Sequence, residues 1–210
     1  MSKNFKFCKA PFGSIYVRPN ARANIQNEKQ TEISFCCVQG DKYLLSQNET
    51  VDDFWKSDWA KKHRQQFLDK EWPSSCSHCE WKENNNIESD ISTHQQITIK
   101  EYNIFNGNEV GKPKYVDYRP DNLCNLMCTM CGPGNSNLIE NMWKELNLIK
   151  QSDKNISSYD KDLTNQLINK DTLQMRVIGG EPTINAHIHS VLQYAIDKGY
   201  SKNIDLKITS

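Results

Sequence analysis

Apolar and polar residues alternate over Lys114-Tyr115-Val116-Asp117-Tyr118-Arg119, and apolar runs return at Leu173 to Ile178 and at Ile204 to Ile208. Each is short, and each reads as a strand, the first over Tyr115 to Arg119. Between them the apolar spacing changes to three and four. Ile139, Met142, Leu146 and Ile149 mark one helix, with Asn135 or Ser136 as its cap. Asp162 to Asn169 reads as a weaker helix. Ala186 to Lys198 carries Ile188, Val191, Leu192, Ala195 and Ile196 on one side, and Gly199 stands where a helix C-terminus favours glycine. Strand and helix in alternation predict parallel strands joined by right-handed crossovers, with ligands gathered beyond the strand C-termini.

The N-terminal half has a different rhythm. Ser14-Ile15-Tyr16-Val17 reads as a strand ended by Pro19-Asn20, and Glu32 to Val38 as a second one stopped by Gly40-Asp41. Paired as a hairpin across the polar stretch Ala21 to Thr31, they would bring Cys8 and Cys36-Cys37 onto one small sheet. Thr50 caps a helix with Val51, Phe54 and Trp55 on one face, and Ser57 caps another in which Trp59, His63 and Phe67 fall four apart. That stripe reads as packing, with His63 a packed histidine and Trp55, Trp59 and Trp72 in the core. Pro73 ends the helix, and Cys76-Ser77-His78-Cys79 forms a C-x2-C knuckle in which His78 is not counted as a ligand. A helix is expected over Trp81 to Ile91, and an exposed strand near Gln96 to Ile99. The expected organisation is a cysteine-rich α+β domain over 1–91, a polar linker over 92–112 and an α/β domain over 113–210.

Charge narrows the partners. The 210 residues hold 26 Lys plus Arg and 26 Asp plus Glu, so no overall field favours nucleic acid or an anionic membrane. The N-terminus has no long apolar region, and no stretch nears the ~18 apolar residues of a membrane span. A cytoplasmic protein is expected. In that reducing compartment the eight cysteines read as metal ligands rather than disulfides.

Three of them, Cys124, Cys128 and Cys131, stand in a C-x3-C-x2-C spacing directly after the first C-terminal strand, followed by Gly132-Pro133-Gly134. Compact cysteine runs of this kind hold iron-sulfur clusters, and three thiolates leave one iron open. A structural zinc site would want a fourth Cys or His, and none lies between Leu138 and Lys150. Arg119, Asn122 and Asn125 are near enough in sequence to reach the loop or to satisfy its carbonyls. His187 and His189 read as surface or capping residues.

The cysteine loop, with Gly179-Gly180-Glu181-Pro182 at the end of the second strand, resembles the radical S-adenosylmethionine superfamily and its GGEP motif. The resemblance implies a partial (β/α) barrel in which Cys124, Cys128 and Cys131 hold a [4Fe-4S] cluster whose open iron is chelated by S-adenosylmethionine. It implies an enzyme that reductively cleaves this cofactor, generating a 5′-deoxyadenosyl radical that abstracts a substrate hydrogen. Gly179, Gly180, Glu181 and Pro182 would then border the ammonium group of the cofactor, and Met130 its adenine.

Cys8, the Cys36-Cys37 pair, Cys76 and Cys79 resemble the twitch or SPASM-type auxiliary cluster domains of the same superfamily, although Ala21 and a longer insertion depart from the usual spacing. The resemblance implies an auxiliary [4Fe-4S] cluster on Cys8, Cys76, Cys79 and one of Cys36 and Cys37, with Cys36 favoured. Zinc at Cys36, Cys37, Cys76 and Cys79 in a non-catalytic scaffold is the alternative. Relatives with such domains modify peptides or proteins, so a peptide or protein substrate and an external electron donor are expected. At about 30 residues per βα unit, 113–210 supplies about three strands, roughly half a partial barrel. This predicts a truncated product, with a second chain supplying the missing strands.

Overall fold

The computed structural model describes residues 5–19, 31–46, 48–92, 111–149 and 163–210. Its frame is a mixed α/β fold on one six-stranded sheet, with strands β1 (Ser14–Pro19), β2 (Thr31–Ser34), β3 (Tyr43–Leu45), β4 (Tyr115–Tyr118), β5 (Gln174–Val177) and β6 (Asp205–Ile208) in the order β3-β2-β1-β4-β5-β6. β1, β4, β5 and β6 run parallel, whereas β2 and β3 are antiparallel additions.

The expected hairpin of β1 and β2 forms, with Val17 opposite Ile33. It does not make a separate small sheet. β1 pairs directly with β4, setting Ile15 beside Val116 and Val17 beside Tyr118. Strands from both sides of the expected boundary near Lys112 therefore share one sheet, and one apolar cluster joins Ile15, Val17, Ile33 and Phe35 to Val116, Met175, Val177 and Val191. The strand alternation explains why. Odd-numbered β1 and β5 residues and even-numbered β4 residues face the helices, and burying each such side chain is worth roughly 1.5–3 kcal/mol. Among the described residues, no helix is long and apolar enough to cross a membrane.

The helices are α1 (Ala10–Gly13), α2 (Val51–Lys56), α3 (Asp58–Leu68), α4 (Ser77–Asn84), α5 (Asn137–Glu145), α6 (Thr164–Leu167) and α7 (Ala186–Asp197). Thr50 and Asp53 close a capping box on α2, Ser57 caps α3, Ser136 caps α5, and Gly199 ends α7 at φ +68°. The Trp59, His63 and Phe67 stripe of α3 packs as expected: Trp59 stacks near Phe35, and Phe67 lies against Trp72. Two expected elements end early. The run Glu32 to Val38 leaves the sheet after Ser34, because the side chain of Gln39 turns back to accept the N–H of Phe35 (3.1 Å). The helix expected over Trp81 to Ile91 begins inside the knuckle at Ser77 and stops at Asn84, before Asn86 in a left-handed conformation (φ 56°). The strand expected near Gln96 to Ile99 lies outside the described residues.

Candidate metal centres

The cysteine loop follows β4 and is held from two sides. On one side is the turn after β5. The N–H of Gly180 donates to the carbonyl of Asp121 (3.3 Å) and that of Glu181 to the carbonyl of Leu123 (2.7 Å). This contact dictates the glycines: a Cβ on Gly180 would stand 2.0 Å from the Leu123 oxygen, and one on Gly179 2.8 Å from that of Asp121. The close approach made by the two glycines is thus to the loop backbone. Asn185, which caps α7, also donates to Asp121 Oδ1 (2.7 Å).

On the other side stands α5. Asn137 Oδ1 accepts the N–H of Cys124 (2.8 Å), Ser136 Oγ donates to the carbonyl of Leu126 (2.9 Å), and the N–H of Asn137 reaches the carbonyl of Asn122 (2.8 Å). Asn122 is fully buried, and its amide donates to Glu140 Oε2 (2.8 Å) and to the Pro133 carbonyl (2.9 Å). Between these anchors, Cys124 and Cys131 are half-buried, Cys128 is exposed, and Cys131 turns back through its N–H to the Cys128 carbonyl (3.0 Å). The sulfur of Cys124 already accepts the N–H of Leu126 (3.4 Å). Met130 is 91 % exposed, and Leu126 and Met127 are exposed beside it.

Glu181 and Pro182 are buried. The Glu181 carboxylate caps the following turn, accepting from Thr183 N (3.0 Å) and Oγ1 (2.7 Å) and from Ser210 Oγ (2.8 Å). These bonds, those of Thr183 foremost, hold its carboxyl below the usual carboxylate value. Arg119 leans 3.5 Å from Asp117 and lies over the Tyr16 ring, while Asn125 is exposed. His189 bonds the Thr183 carbonyl (2.8 Å), in keeping with a local structural role.

A second set of thiols gathers around Cys8. Burial, chiefly, and then the neighbouring Cys76 and Cys79 push the Cys8 thiol up to about 12, against a backbone hydrogen bond at Ala10 that lowers it. Burial followed by Cys8, Cys76 and Cys37 raises Cys36 well above the usual thiol value, and burial raises Cys76 to about 11. Cys8 thus senses Cys76 and Cys79, and Cys36 senses Cys8 and Cys76. Cys37 acts on Cys36 but also on Tyr16 and Tyr115, which stand on the sheet face turned away from the apolar core. Cys36 is thus coupled to Cys8 and Cys76, and Cys37 to Tyr16 and Tyr115 as well. Lys42 Nζ donates to the carbonyls of both Cys36 (3.2 Å) and Cys37 (3.1 Å). His78 is half-exposed, with Nε2 3.6 Å from Asp90.

The two sets occupy opposite edges of the sheet. Cys8 precedes the start of β1, and Cys36 follows the end of antiparallel β2 at that same edge, whereas the loop follows the end of β4. Among the described residues, no group of three or more His, Cys, Asp or Glu side chains is arranged to hold a metal ion. The donor chemistry still suits a soft metal, with four thiols at one edge and three at the other. Ligation would turn the side chains within backbones that are already anchored. Asp121, Asn137 and Asn185 at the loop, and Gln39, Lys42 and Ser75 at the N-terminal set, were not among the residues expected from sequence. For Asn137 and Asn185, the cue was an amide at a helix start.

No protein-family model matches the chain, and no curated protein or solved structure is similar to it.

Proposed function

We propose that this chain is a radical S-adenosylmethionine protein, with Cys124, Cys128 and Cys131 as the ligands of a [4Fe-4S] cluster. The observation that carries the reading is the backbone contact of Gly180 and Glu181 with Asp121 and Leu123. It joins a three-cysteine loop to a GGEP turn at the C-terminal edge of parallel strands, where α/β folds gather ligands. Cys124, Cys128 and Cys131 would hold such a cluster, which would supply an open coordination position for S-adenosylmethionine and the electron for its reductive cleavage.

This chain's own residues supply the rest. The N–H of Leu126 donates to the Cys124 sulfur, a bond that tempers thiolate charge. Asn137 and Ser136 fix the loop backbone at Cys124 and Leu126. The exposed Met130 and Met127 offer an apolar surface beside the thiols for the adenine. Glu181 and the Gly179-Gly180 carbonyls are the acceptors for the cofactor ammonium. The substrate class is a peptide or protein, acted on with an external electron donor. The four thiols at the other edge favour a second reading, a zinc or iron-sulfur scaffold without catalysis, since four cysteines close a tetrahedral site.

Anaerobic reconstitution separates the two. About eight irons per chain, with an electron paramagnetic resonance signal perturbed by S-adenosylmethionine and lost in Cys124→Ala, supports the first. Zinc with no iron, or iron with no response to S-adenosylmethionine, overturns it.

A further inference from the structure

Ser75 stands immediately before Cys76, is buried, and is bonded both by α3 and by the turn at Gln39 and Gly40. The ring of His63 contacts the carbonyl of Trp59 through Nδ1 (2.8 Å) and Ser75 Oγ through Nε2 (2.9 Å). A carbonyl only accepts, so Nδ1 carries the proton, Nε2 accepts, and the Ser75 hydroxyl donates to it. Ser75 Oγ in turn accepts from Gln39 Nε2 (3.2 Å). Ser75 Oγ also lies 4.0 Å from Cys76 Sγ.

The contacts link the pieces that bear the thiols. Gln39 Oε1 accepts the N–H of Phe35, closing the turn that carries Cys36, and the N–H of Gly40 donates to the Ser75 carbonyl (2.7 Å). The next residue on α3, Arg64, donates through Nε to the Pro11 carbonyl (2.7 Å) and so holds the segment that follows Cys8. His63 and Arg64 thus fix, from one helix turn, the chain beside Cys76 and the chain beside Cys8. A network serving only to satisfy buried polar groups would not need to join the Cys36 turn to the Cys76 knuckle.

We propose that Gln39, Ser75 and His63 are positioning residues that hold the Cys36 turn against the Cys76 knuckle, so that both thiols can reach one thiophilic metal. The inference rests on the reading that Cys8, Cys36, Cys76 and Cys79 take a metal. The bonds of Ser75 to His63 and Gln39, and of its carbonyl to Gly40, fix the backbone from which Cys76 extends.

The test is cobalt(II) titration of the reduced full-length chain carrying Cys124→Ala, followed by its sulfur-to-cobalt charge-transfer and d–d bands. The parent should give a tetrahedral thiolate spectrum. Adding Ser75→Ala or Gln39→Leu should weaken cobalt binding about 10- to 100-fold and shift the d–d bands, Ser75→Thr should restore both, and the two losses should fall short of additive. Near-ultraviolet circular dichroism of the metal-free variants, matching the parent, separates positioning from misfolding. If Ser75→Ala does not fold, Gln39→Leu decides. A parent that binds cobalt, with variants of equal affinity and spectrum, overturns the positioning role. A parent without a thiolate spectrum overturns the metal-site reading and the clamp with it.

Discussion

The backbone nitrogen of Glu181 lies 2.7 Å from the carbonyl oxygen of Leu123, a hydrogen bond between the turn after β5 and the loop after β4. The side-chain-free approach of Gly180 makes it possible. Gly180→Ala places a methyl where the Leu123 oxygen already is, so turn and loop must part. We expect a loss of about 1–3 kcal/mol in urea unfolding, together with reduced iron on the loop. An unchanged midpoint and full iron content would show that the contact is dispensable.

Glu181 predicts a pH dependence. Hydrogen bonds hold its folded pKa below the ordinary 4.5, so its stabilising contribution is fully present above that value and fades as the pH falls through the lowered one. The difference in unfolding free energy between wild type and Glu181→Gln should therefore be largest above pH 4.5 and shrink on acidification. A difference that grows towards acid contradicts the assignment.

Asn122 links the loop to α5 from a fully buried position. Asn122→Ala leaves Glu140 Oε2 and the Pro133 carbonyl without the amide that serves them. A cost of about 1–3 kcal/mol is expected, read by thermal or urea unfolding, with a loop more open to thiol alkylation at Cys124. Wild-type alkylation rates in a destabilised variant would place the effect elsewhere.

Cys36 and Cys37 make a direct comparison. Cys36→Ser should empty the N-terminal site of metal, while Cys37→Ser should leave its metal content within error of wild type, as measured by elemental analysis of the Cys124→Ala chain. Equal losses would show that the chain can turn either thiol inward.

Most local elements were legible because their causes are local. Ser136, Thr50, Ser57 and Gly199 mark helix ends through bonds to residues three or four away, and the strand runs before the cysteine loop and GGEP carry their own alternation. The pairing of β1 with β4 was not legible. It joins Tyr16 to Asp117 across the intervening chain, and nothing in either run names its neighbour. The turn that carries Cys36 was equally hidden, since it rests on a bond from the Phe35 amide to the Gln39 side chain that ends β2. At the loop, the spacing of the three cysteines was legible, but the need for glycine at 179 and 180 proved to come from the loop itself.

The parallel pairing of β1 and β4 also acts as a spacer. Four strand residues at about 3.3 Å each put roughly 13 Å between the edge bearing Cys8 and the edge bearing the loop. A side chain reacting at Cys124, Cys128 and Cys131 would lie out of touch with the N-terminal thiols, and only an extended ligand draped around the sheet could meet both. The chain thus keeps its two sets of sulfurs, the one around Cys8 the more deeply buried, insulated from each other by a layer of hydrogen-bonded backbone.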